Sequence, residues 1–353
     1  MKLSFRWYGP DKDPISLEYI SQIPNVASIV TQCYKFKPGV AWESDEIIRI
    51  KKLINDHHLN WEVVESIPVH EDIKLGLPTR DEYIKNYCTT IERLAKEGIK
   101  VICYNFMPAF DWVRTDLYKK MRDGSLCEAY DQNVIDQLDA TSAIKKFKEL
   151  PAWTLSFPDE QTAEIIGAYQ KMSDEELWDN IAYFINKVIP VCDQVGVKMA
   201  IHPDDPAWPI FGIPRLIINE ENLARFLAIN PSPNHGLTLC VGSLSTNLKN
   251  NMEQIVRRFV DRIHFTHIRN IRYDTPHSFY EIAHGDHDGV LDLSAIVKAY
   301  ADNDYQGYAR PDHGRLIWGE EKQPHTPGYG LYDRALGLSY INGLWDAYQK
   351  TKK

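Results

Sequence analysis

Short apolar runs rich in β-branched and aromatic residues alternate along the chain with longer segments whose apolar positions recur every three or four residues. The first run, Leu3 to Tyr8, reads as a strand. Asp13-Pro14 then supplies an N-cap and a first-turn proline for a helix carrying Leu17, Tyr19, Ile20 and Ile23. Val26 to Thr31 is the next strand, and Ser44 caps a helix with Ile47, Ile50 and Ile54. Asn60 to Ile67 is again extended, and Thr79-x-x-Glu82 has the form of a capping box ahead of Ile84, Tyr87, Ile91 and Leu94. Ile99 to Tyr104 makes strand four. A second capping box, Ser173-x-x-Glu176, opens a helix expected to run up to Pro190. Further strands are expected at 197–202, 237–241, 262–268 and 306–309, with helices near 221–228, 252–260 and 332–348.

Strands alternating with helices, and no hairpin signal between strands, predict a (β/α)8 TIM barrel rather than an open sheet. Neither a GxGxxG nor a phosphate-loop sequence supports the open sheet. Residues 107–172 break the rhythm and are expected to form a helical insertion after strand four, within a single barrel domain spanning 1–353. Composition narrows the class. The 353 residues are 44% hydrophobic and 25% charged, ordinary for a globular protein. No apolar run approaches the roughly 20 residues that span a bilayer, and Met1 to Trp7 lacks a signal-peptide core, so a cytoplasmic location with no membrane partner is expected. A net charge of -9 argues against a nucleic-acid partner, and the six scattered cysteines read as free thiols.

In such a barrel, chemistry sits at the C-terminal ends of the strands. Strand five ends in His202, strand six holds Cys240, strand seven holds His264 and His267, and strand eight leads into Asp312-His313. Four consecutive strand ends carrying nitrogen, sulfur and oxygen donors predict one divalent metal held by His202, Cys240, His267 and Asp312. His267 is the ligand because it lies nearer the rim; His264, three positions earlier, faces the other side of the sheet. A thiolate among nitrogen and oxygen donors favours Fe(II), Mn(II), Co(II) or Zn(II) over Mg(II). His313 is the expected acid–base group. Arg6, Arg269, Arg310 and Arg315 fall near the same rim of an acidic protein, which points to an anionic, carboxylate-bearing substrate, and Trp7 lies beside them.

Phe5-Arg6-Trp7-Tyr8-Gly9-Pro10, Val64 to Lys74, Cys103 to Pro108, Asp111 to Leu117, His264-Phe265-Thr266-His267-Ile268-Arg269, Arg310-Pro311-Asp312-His313-Gly314 and Pro327-Gly328-Tyr329 together resemble the D-mannonate dehydratases, a family with a xylose-isomerase-like barrel. The resemblance covers nearly the whole chain. It implies dehydration of D-mannonate to 2-dehydro-3-deoxy-D-gluconate in hexuronate (glucuronate) breakdown, with Mn(II) or Fe(II) as cofactor. It also implies that His202, Cys240, His267 and Asp312 ligate the metal and that His313 and Tyr329 lie near the reacting carbons; a homo-oligomer, dimer or larger, is expected. A metal-dependent sugar isomerase or epimerase on the same barrel, and a non-catalytic sugar-acid binding protein, are the competing expectations.

Overall fold

The computed structural model describes residues 1–138, 142 and 159–351. Twelve strands are present among them: β1 (Lys2–Arg6), β2 (Ser28–Thr31), β3 (Asn60–Glu65), β4 (Val101–Tyr104), β5 (Asp116–Lys120), β6 (Leu126–Asp131), β7 (Lys198–Ile201), β8 (His235–Cys240), β9 (Ile263–Ile268), β10 (Asn270–Thr275), β11 (Ser278–Ile282) and β12 (Tyr308–Pro311). Eight of these close into a parallel barrel in the order β1-β12-β9-β8-β7-β4-β3-β2, the (β/α)8 TIM barrel expected from the alternation. Within each barrel strand the side chains alternate between two cores. Val30, Val63, Val101, Cys103, Ala200 and Phe265 fill the interior, while Ile29, Val64, Ile102, Met199 and Leu239 pack outward against the helices.

The other four strands form a second sheet, β10-β11-β6-β5, standing on the catalytic end of the barrel. The sequence reading missed it. The stretch expected to be a helical insertion carries β5 and β6 as an antiparallel pair, followed by helices at Gln132–Asp136 and Asp159–Tyr169. The strand after the seventh barrel strand turns back on itself at Pro276-His277 to make β10 and β11. β5 is charged and mostly exposed, so it lacks the apolar alternation that marks a strand, and only pairing with β6 fixes it. Residues 139–141 and 143–158 of the expected insertion lie outside the described residues.

Two helix boundaries and one cap differ from expectation. The Asp13 carboxylate accepts from the backbone N–H groups of Tyr8 and Ile15 and so makes a turn, leaving Ser16 to cap a short helix, Leu17–Ser21. Thr79 already has helical dihedrals, so its hydroxyl cannot reach back to cap and instead donates to Asp72; the following helix is Arg80–Lys96. Ser173 and Glu176 do form their capping box, but the helix Asp174–Val195 runs through Pro190 because Ile189 and Cys192 continue its buried face. It stops at Gly196, whose φ of 71° supplies a left-handed C-cap.

Candidate active site

The period of two along the barrel strands decides what reaches the cavity. Inward positions near the strand ends deliver Arg6, Gln32, Glu65, Cys103, His202 and Arg310 to one pocket, and the loop after β12 adds Asp312 and His313. Tyr329, Trp112, Asp111 and Lys74 complete its wall. Cys240 and His267 lie beneath the floor, fully buried.

His202, Cys240 and His267 place donor atoms within 4.8 Å of one another. His202 Nδ1 is 2.7 Å from the Pro203 carbonyl, so that nitrogen carries the proton and Nε2 keeps its lone pair. His267 Nε2 lies 3.4 Å from a Glu65 carboxylate oxygen, and an Arg310 N–H points to its Nδ1 at 3.3 Å. The two rings face each other, with His202 Nε2 3.1 Å from His267 Nδ1. Cys240 Sγ accepts from Ser243 N–H and Oγ–H, and its S–H donates to Asp312 Oδ2 at 3.3 Å. Two imidazole nitrogens, a cysteine sulfur and a carboxylate oxygen converging on one point are a mixed nitrogen, sulfur and oxygen donor set of the kind that fits a divalent metal. His264 faces the outer side of the sheet, tight against Gly236, where a Cβ would come within 2.3 Å of its Nε2. Burial pushes its pKa down to about 3.

Around the donors is a layer of buried charge. Arg310 binds Glu65 through two nitrogens (3.1 and 2.9 Å) and Asp312 Oδ1 at 2.7 Å. Arg269, fully buried, donates to Asp312 Oδ2 (2.9 Å), Glu281 (2.8 Å) and Asp205 (2.7 Å). Arg114 spans Asp205 and Glu281 from the other side. Burial alone would raise the Asp312 and Glu65 carboxyls; the Arg310 cation beside both, with His313 or His267, holds them well below the ordinary range. Glu281 is brought down to about 2 because Arg269 and Arg114 outweigh its burial. His313 behaves oppositely. Burial would lower it, but Asp312 and Glu128, with hydrogen bonds to Glu128 and Glu281, raise it to about 10. Its Nδ1 lies 3.1 Å from Glu128 and 3.2 Å from Glu281. The Tyr329 ring packs edge-on to His313 at 5.1 Å and to Tyr8 at 5.0 Å, and burial raises its hydroxyl well above 10.

The residues expected from sequence are therefore distributed over several positions. His202, Cys240, His267 and Asp312 come together, and His313, Tyr329, Arg6 and Arg310 line the cavity beside them. Arg269 does not reach the cavity wall; it is a strut among three carboxylates. Arg315 points away, paired with Asp333 and Asp123. Trp7 is buried with its indole donating to the Ile15 carbonyl, so its place is in the core next to β1. Glu65, Asp205, Arg114, Glu128 and Glu281 were not singled out. Glu65 and Arg114 sit within quoted motifs, and Glu65 also follows from strand parity, but nothing in the sequence connects Glu128 or Glu281 with His313.

A family model described as D-mannonate dehydratase (UxuA) matches residues 1–353. The mannonate dehydratase of Thermotoga maritima is 50% identical over 361 residues, covering 100% of this chain and 99% of that protein. A crystal structure of mannonate dehydratase from Streptococcus suis serotype 2 superposes with a TM-score of 0.92 at 44% identity, over 100% of this chain and 96% of that one. A D-psicose 3-epimerase structure, at 11% identity and a TM-score of 0.58 over 98% of this chain and 99% of that one, shares the barrel fold alone.

Proposed function

The chain belongs to the D-mannonate dehydratase family and is a hydro-lyase, and from that premise we propose that it removes water from D-mannonate, as a step of hexuronate breakdown, using one Mn(II) or Fe(II) ion. The residues that would hold the metal are His202, Cys240, His267 and Asp312, and the opposed imidazole nitrogens 3.1 Å apart are the observation that carries this. When bound, such an ion supplies Lewis-acid polarisation of a 2-hydroxy acid, making its C2 proton more acidic.

The chain's own groups divide the remaining work. Arg6 is the guanidinium best placed to grip the substrate carboxylate: it lines the cavity, and its hydrogen bonds go to the Glu65 carbonyl and the Tyr34 hydroxyl rather than to a carboxylate. Arg310 is occupied by Glu65 and Asp312, so it keeps those carboxylates charged and aligned. His313, with its Nδ1 against two carboxylates, presents Nε2 toward the cavity and donates a proton to the departing C3 hydroxyl. Tyr329 and Trp112, in contact with its ring, hold it there and exclude water. The elimination breaks C2–H, whose proton passes to a base, and C3–O, whose hydroxyl leaves as water with the proton from His313; the resulting enol becomes the keto acid as it loses its O–H proton and takes a proton at C3.

The test is incubation of metal-stripped protein with D-mannonate and Mn(II), Fe(II), Mg(II) or no metal. Keto acid lighter than substrate by one water is expected with Mn(II) or Fe(II) and not without metal. A product of unchanged mass would indicate an isomerase or epimerase, binding without product would indicate a sugar-acid binding protein, and either would overturn the reading.

A further inference from the structure

Glu128 comes from β6, in the sheet added to the barrel, and is fully buried. Its one ion-pair partner among the described residues is His313, with Oε2 3.1 Å from Nδ1. Apart from this ion pair, neither Glu128 oxygen has a hydrogen-bond partner. A buried carboxylate with so little company is costly unless a cation faces it. The backbone leaves room for it in one place. Gly328, at φ 72°, passes so close that a Cβ there would lie 2.5 Å from Glu128 Oε2. Glu281, from the neighbouring β11, approaches the same nitrogen at 3.2 Å, but it is also bound by Arg114 and Arg269 and so has structural work of its own. The two carboxylates meet the imidazole from the side away from the pocket. His313 Nε2, 3.9 Å from Asp312 Oδ1, is the ring nitrogen left toward it.

We propose that Glu128 is a positioning residue for the dehydration: with Glu281 it clamps His313 Nδ1, so that Nε2 is the nitrogen aimed at the departing C3 hydroxyl. The inference rests on the reading of His313 as the proton donor. It gives the second sheet a catalytic task, because neither barrel strand beside His313 supplies a carboxylate to its Nδ1. A ring held at one nitrogen by an anion cannot flip to present the other, and it delivers its proton along a fixed line.

The experiment compares metal-loaded wild type, E128Q, E128D and H313N on D-mannonate and on its 3-deoxy-3-fluoro analogue, whose fluoride departs without needing a proton. E128Q is expected to lower kcat on D-mannonate about ten- to a hundredfold with KM and bound metal unchanged. E128D, which keeps the charge at shorter reach, is expected to recover part of the loss. On the fluoro analogue the deficit of E128Q should shrink, as should that of H313N. Wild-type kcat in E128Q, or a loss equally large on both substrates, overturns the clamp. H313N that turns over D-mannonate normally, or that is equally poor on both substrates, overturns instead the acid reading beneath it. Should E128Q fail to fold, E128D decides: a kcat loss confined to D-mannonate supports the clamp, and wild-type behaviour on both substrates refutes it.

Discussion

The buried charge layer behind the pocket makes a definite claim about stability. Glu281 is fully buried and accepts from Arg114 at 2.7 Å and from Arg269 at 2.8 Å. Glu281→Gln keeps the shape but leaves two buried guanidinium groups sharing one fewer anion. Breaking a buried pair in this way costs roughly 3–5 kcal/mol. Unfolding entropies near 2.1 cal/mol/K per residue give about 0.7 kcal/mol per degree for a chain of 353 residues. The melting temperature should therefore fall by about 4–7 °C, read by circular dichroism on metal-free and metal-loaded protein alike. The control is Glu175→Gln, which breaks a pair of the same chemistry with Arg225, where the two side chains are 72% and 45% exposed. That variant should melt with the wild type, because water already solvates both charges. If Glu281→Gln also melts with the wild type, burial does not set the strength of this network and the argument fails.

Cys240→Ser, loaded with Co(II), should lose the thiolate-to-metal charge-transfer absorption and about ten- to a hundredfold of the metal affinity, and retention of that band would remove Cys240 from the ligand set. Trp7→Phe removes the indole hydrogen bond to Ile15 and should cost about 1 kcal/mol of stability with KM for D-mannonate unchanged; a raised KM would return Trp7 to the substrate site. The pH dependence of metal-free protein has a sign on each side. His313 is raised from 6.5 to about 10, so its stabilisation is complete below about pH 6.5 and is lost as pH rises through about 10. Glu281 is lowered from 4.5 to about 2, so its stabilisation is present above about pH 4.5 and is lost as pH falls toward 2. Thermal melts across this range should show both declines, and His313→Asn should flatten the alkaline one; an unchanged alkaline slope in that variant would contradict the raised pKa.

Much of the barrel was legible because its information is local. Apolar runs, helical periodicity and caps such as Ser173 act over a few residues, and strand parity alone separates His267 from His264 and points Glu65, Cys103 and Arg310 inward. The donor set could be assembled from sequence for the same reason: in a parallel barrel every strand ends on one rim. Where Asp13 closes a turn, or Thr79 meets Asp72, a local signal lost to a competing hydrogen bond a few residues away.

What the sequence by itself determined is thus the eight-stranded frame, the family, and the identity of the groups at the strand ends. Tertiary structure alone decided which charges face the substrate and which face one another. β5 and β6 acquire strand structure only by pairing with each other and with β11, and that pairing carries Glu128 from position 128 and Glu281 from position 281 to the same imidazole nitrogen. The same long-range packing turns Arg269 into a strut and Arg315 outward, and it puts Trp7 in the core. A guanidinium or carboxylate has the same character anywhere in a sequence; its partners, and with them its pKa and its role, exist only once distant segments are buried together.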